Sequence, residues 1–155
     1  PLFEIPLPQL LFNCRCALLF ATDQKPSARG YAMSVLDLAQ RFVDAIQVAD
    51  VDAARACFHA DAGIWHNYDN KTQTVDENLG LLAMMAAKLP KRHYEIHRLE
   101  AIDGGYLQHH SLHVTGSDGT EVVVQALAMV SVSDDKISSI KEWIDPTPLR
   151  PLLAG

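Results

Sequence analysis

From Ser34 onward the apolar positions recur at helical spacing. Val35, Leu38, Ala39, Phe42, Val43 and Ile46 fall on one stripe, with Ser34 placed to cap the first turn. A second, short helix is predicted over 53–58, capped by Asp52, with Ala54, Cys57 and Phe58 turned toward the first. Thr74 and Glu77 have the spacing of a capping box, and Val75, Leu79, Leu82, Ala86 and Leu89 mark the buried stripe of a third helix that stops at Pro90. Beyond it the period changes to two. Strands are predicted over 93–102, 106–115, 121–133 and 136–145, separated by turns at Gly104-Gly105, at Gly116 to Gly119 and at Asp134-Asp135. Helices followed by hairpin-linked strands imply an α+β fold, three N-terminal helices packed on one face of a curved antiparallel sheet. Residues 146–155 carry three prolines and read as irregular.

This pattern organises residues 33–148 as one domain with a tail over 149–155. The first 32 residues stand apart: they hold four of the eight prolines, and their apolar stretch is broken by Arg15. Their only early charge is Glu4, whereas a secretory signal needs positive charge ahead of its apolar run. They read as an extension upstream of a natural start at Met33.

Composition narrows the function classes. A chain of 155 residues with 48% hydrophobic and 21% charged residues has the make-up of one globular domain. The formal net charge is −6 and the thirteen Lys and Arg are scattered, which argues against a nucleic-acid partner. No apolar run reaches the roughly 18 residues that would span a bilayer. Cys14, Cys16 and Cys57 form no disulfide framework, so a cytoplasmic setting is expected, with Cys57 a small core residue.

Candidate chemistry concentrates in two places. The string Ile64-Trp65-His66-Asn67-Tyr68-Asp69 is a strand-like edge rich in polar atoms that need partners when buried, as one wall of a small-molecule pocket would be. On it, Trp65 and Asn67 are the expected inward pair, and His66 points away. The strand 106–115 carries Leu107, His109, Ser111 and His113 on one face, and Tyr106, Gln108, His110, Leu112 and Val114 on the other. In the last strand Ile140, Glu142 and Ile144 share a face. If that face is the inner one, Glu142 is a desolvated acid; if the other is, Trp143 is core. Metal binding is not expected. The histidine pairs 93/97 and 109/113 would be roughly 13 Å apart on a strand, and no zinc ligand pattern is present. Ser111 lacks the G-x-S-x-G elbow of a nucleophile.

The order helix, short helix, W-H-N-x-D string, capped helix and strands closing on Lys136-Ile137-Ser138-Ser139-Ile140-Lys141-Glu142-Trp143-Ile144-Asp145-Pro146 resembles the NTF2-like superfamily, in its SnoaL-like branch. The resemblance implies a cone-shaped α+β barrel around an apolar cavity, a homodimer, and acid/base chemistry without a cofactor. In epoxide hydrolases of this superfamily a water is held by residues matching Trp65, Asn67 and Glu142, while the acid-bearing Asp-Arg pair falls here at Ser111 and His109. The acid that protonates an epoxide is therefore missing. The expectation is an isomerase, cyclase, hydratase, hydrolase or lyase acting on a hydrophobic small molecule. His109, Glu142 and Asn67 would be catalytic, and Trp65, His66, Ser111, His113, Leu127 and Met129 would line the substrate. The alternative is a non-catalytic binding or dimerisation module whose polar groups satisfy one another.

Overall fold

A computed structural model describes residues 34–153; the proposed extension over 1–32 lies outside the described residues. The element order is α1 (Val35–Val48), α2 (Val51–Ala56), β1 (Phe58–His66), β2 (Thr72–Thr74), α3 (Val75–Lys88), β3 (Lys91–Ile102), β4 (Gly105–Thr115), β5 (Glu121–Ser133), β6 (Lys136–Ile144), a 3-10 turn (Thr147–Leu149) and α4 (Arg150–Leu153). Two helix starts follow their sequence signals. Ser34 and Asp37 form a reciprocal capping box at α1, as Thr74 and Glu77 do at α3.

The second helix differs from expectation. Ala49 ends α1 in the left-handed conformation (φ 55°), and the chain re-enters a helix at once, so Asp50 rather than Asp52 is the cap, accepting the Ala53 amide at 2.9 Å. Asp52 falls inside the first turn, where a carboxylate also suits the helix dipole. The helix ends two residues early, and Phe58 opens β1 instead of closing α2.

Six strands form one curved sheet in the order β2-β1-β6-β5-β4-β3. All neighbours are antiparallel except β1 and β6, which run parallel. The strand that carries Ile64, Trp65 and His66 is thus not an edge: the three-residue β2, too short to show a period, covers it. The hairpin β5–β6 turns on Asp134 and Asp135, both at positive φ (46° and 58°), the backbone twist a two-residue hairpin demands. At Gly105 a Cβ would lie 1.8 Å from the Val130 carbonyl oxygen, so only glycine fits there.

The helices cover one face of the sheet. Leu38, Phe42 and Ile46 of α1 and Leu79 and Leu82 of α3 pack with Ile64, Tyr106, Val130 and Ile140 from the strands. Phe42 meets Phe58 edge-on, with ring centroids 5.2 Å apart. A second cluster, Leu89, Leu112, Val114, Val124 and Leu149, lies toward the C-terminal end. Leu149 corrects the reading of the tail as irregular. Residues 147–153 form two short helical turns, with Pro148 and Pro151 at positions whose missing N–H would be unpaired anyway. Leu149, 3% exposed, anchors them to the core.

Candidate active site

The alternation of burial in β5 fixes which side of the sheet is inside: Val124, Ala126, Ala128 and Val130 are buried, while Val123, Leu127 and Met129 are exposed. Register then carries that face across the sheet. His66 of β1 pairs with Glu142 of β6, Glu142 with Ala128 of β5, and Ala128 with Gln108 of β4. Partners in register share a face, so these four form one inward ladder. One step further along β4, His110 pairs with Ala126.

The two alanines leave room for Glu142 to reach sideways. Its carboxylate lies 3.2 Å from His66 Nε2 on one side and 3.9 Å from His110 Nε2 on the other. The Gln108 amide nitrogen stands 3.1 Å from His110 Nδ1. With that amide donating, Nδ1 accepts, and the proton of a neutral His110 sits on Nε2, facing Glu142. Burial holds the His110 pKa below its ordinary value, helped by the nearby His109 and His97 and opposed by the Glu142 charge. Tyr94, whose ring centroid is 5.6 Å from that of His110, is pushed up to about 12 by burial and by Glu142. Tyr68 is raised by burial, with Asp69 and Glu142 adding to it. Both phenols stay protonated at neutral pH and are hydrogen-bond donors.

These groups open onto a cavity of about 340 Å³, within the range of small-molecule sites. Its walls are apolar: Phe42 and Ile46 from α1, Leu79, Leu82 and Met85 from α3, and Leu112 and Val130 from the sheet. Pro146, Leu149, Arg150 and Leu153 line it from the C-terminal turns. Tyr68 and Arg150 are its exposed members.

The sequence reading placed the inner faces of β1 and β4 the wrong way round. On β1 it is His66 that points in. Trp65 packs against Trp143 on the outer side, centroids 5.6 Å apart, and donates to Asn70. Asn67 is a clasp: its amide donates to the Glu142 carbonyl at 3.1 Å, and its side-chain oxygen accepts the Ile144 amide at 2.8 Å. On β4, His109, Ser111 and His113 face outward. Ser111 Oγ is 2.7 Å from His97 Nε2, His109 stacks near His97, and His113 lies 2.9 Å from Glu95. Leu127 and Met129 share that outer face, exposed and apart from the lining of this cavity. Of the expected residues, Glu142 and His66 reach the site. Gln108, His110, Tyr94, Tyr68 and Arg150 were not expected there. The signal for β4 was present: Tyr106, Leu112 and Val114 make its His110 face the more apolar one.

A family model described as a SnoaL-like domain matches residues 39–140. The chain belongs to the SnoaL-like family. Among solved structures, IdmH, a candidate polyketide cyclase from Streptomyces antibioticus, superposes with a TM-score of 0.69 at 15% identity, covering 79% of this chain and 99% of that one. AclR, a candidate hydroxylase from Streptomyces galilaeus, gives 0.68 at 14% identity over 77% and 84%. A protein of ketosteroid isomerase-like fold from Catenulispora acidiphila gives 0.65 at 13% over 76% and 92%. At these identities the likeness speaks for the SnoaL-like fold alone. No curated protein matches the sequence. Among the described residues of this SnoaL-like domain, no group of three or more His, Cys, Asp and Glu is placed to hold a metal ion, and no helix is long and apolar enough to cross a membrane.

Proposed function

We propose that this SnoaL-like protein is a cofactor-independent enzyme that moves a proton on an apolar, carbonyl-bearing small molecule. The observation that carries the reading is the carboxylate of Glu142 set between two imidazoles in the lining of an apolar cavity. Glu142 takes a proton from carbon next to the carbonyl. The C–H electron pair moves into the new C=C bond, and the negative charge developing on oxygen meets the Nε2–H of neutral His110 or the Tyr94 hydroxyl. Return of the proton to another carbon completes an isomerisation; attack of the enolate carbon on a second carbonyl of the same molecule, whose oxygen then takes the proton held by Glu142, completes a cyclisation. His66 orients Glu142 through its 3.2 Å contact. Its buried Nδ1 has no hydrogen-bond partner among the described residues, which favours this reading over a binding module whose polar groups satisfy one another.

The test is deuterium exchange at the α-carbons of 2-tetralone in D2O, followed by NMR. The protein accelerates exchange, and Glu142→Gln removes at least 99% of the acceleration, in line with the 10²–10⁴-fold scale of general base catalysis. Unchanged exchange in Glu142→Gln contradicts the assignment. The exposed outer-face side chains Val123, Leu127, Met129 and Trp143 support a homodimer through that face. A cytoplasmic setting accords with Cys57 as a buried free thiol.

A further inference from the structure

Charge on the cavity lining is distributed unevenly. The lining holds one carboxylate, Glu142 with its two histidines, and Arg150 is the one Lys or Arg among the lining residues and is exposed. Other arginines of the described residues are committed. Arg55 pairs with Asp76, Arg98 with Glu100, and Arg92 donates to the carbonyls of Ile46 and Gln47. Among the described residues Arg150 makes no ion pair within 4 Å. The acid that feels its charge is Asp145, whose carboxylate already accepts the Thr147 amide at 2.9 Å. The guanidinium is exposed and makes no hydrogen bond among the described residues, so its five donors are available to a ligand. Its place in the lining is held by the neighbouring Leu149, which is buried in the core.

We propose that the substrate carries an anionic group, a carboxylate being the form that best fits a guanidinium, which docks on Arg150 while the apolar body extends inward to Glu142. This deepens the acid/base reading above and rests on it. Two features set the direction. An anion placed beside Glu142 would be repelled by its carboxylate, so the charged end belongs at Arg150. The chain as a whole, at net charge −6, does not attract anions, so recognition depends on a local cation with bidentate geometry. Arg150 is a binding and orienting residue in this scheme. By fixing one end of the ligand it sets which carbon comes to rest beside Glu142.

The experiment compares 2-naphthoate with 2-naphthamide, a pair of equal shape differing in charge at neutral pH, by titration calorimetry on the full chain. The wild type binds naphthoate at least fivefold more tightly than the amide. Arg150→Gln erases that preference and leaves amide affinity unchanged, and Arg150→Lys keeps most of it. Equal or weaker binding of naphthoate by the wild type overturns the proposal while leaving the cavity reading intact, as does an equal loss of both ligands in Arg150→Gln. Binding of neither ligand overturns the cavity reading, and this proposal with it.

Discussion

Replacing Ala128 with leucine tests whether the space over Glu142 is a working cavity or a packing defect. Ala128 is 5% exposed and lies in register between Glu142 and Gln108, with its methyl on the cavity wall. Leucine adds about three methylene equivalents. In a filled core that addition costs about 1–3 kcal/mol through off-rotamer side chains and backbone shifts. Beside a cavity of about 340 Å³, the added carbons have open space to enter. The new side chain then gains contact, and stability is unchanged or rises by up to about 2 kcal/mol, from about 0.8 kcal/mol per buried methylene. A ligand that used the same space loses a similar amount, about 2.4 kcal/mol for three methylenes, or roughly a fiftyfold weaker affinity. Urea unfolding measures the first quantity and 2-naphthamide titration the second. A loss of 1 kcal/mol or more in stability together with unchanged ligand affinity refutes the cavity.

Other expectations follow from single groups. In a ¹H–¹⁵N titration His110 protonates with a midpoint below 6.5, and Glu142→Gln lowers it further, because the carboxylate opposes the effect of burial; an upward move contradicts the geometry. Since the folded state holds this histidine below its unfolded value, the unfolded chain binds the proton first. Stability contributed by neutral His110 is full above about 6.5 and is lost as pH falls through the folded midpoint, so His110→Gln flattens the acid limb of a stability–pH curve. Asp50→Ala costs about 1 kcal/mol in urea unfolding and Asp52→Ala a few tenths; the reverse order would return the cap to Asp52. Met129→Lys on the outer sheet face shifts a dimer to monomer in light scattering, whereas an unchanged mass removes that face from the dimer proposal.

The helices and hairpins were legible because each has a local cause. Ser34 and Thr74 carry their own capping partners, and the apolar stripe of α1 sits on a helix with polar residues opposite. The site was less legible because a strand's face is decided by its neighbours. The β4 sequence has histidines on both sides, and only pairing with the alternating β5 turns His110 inward and His109 outward. The same holds for β1, whose parallel pairing to β6 joins residues about 76 positions apart and brings His66 opposite Glu142. Glu142 was found because its face has isoleucines on both sides of it, a signal local to β6. Arg150 was missed because prolines around it read as a break in structure. Here they begin helical turns that fold over the cavity.

In the proposed reaction Glu142, on the His110 face of the sheet, is the base. One α-proton exchange series on 2-tetralone tests it, run on the wild type, Glu142→Gln, His110→Gln and His109→Gln under identical conditions. Loss of at least 99% of the catalysed rate in Glu142→Gln, a partial loss in His110→Gln and an unchanged rate in His109→Gln are predicted. A rate that survives Glu142→Gln contradicts Glu142 as the base, and a rate that falls with His109→Gln and not with His110→Gln moves the chemistry to the opposite face.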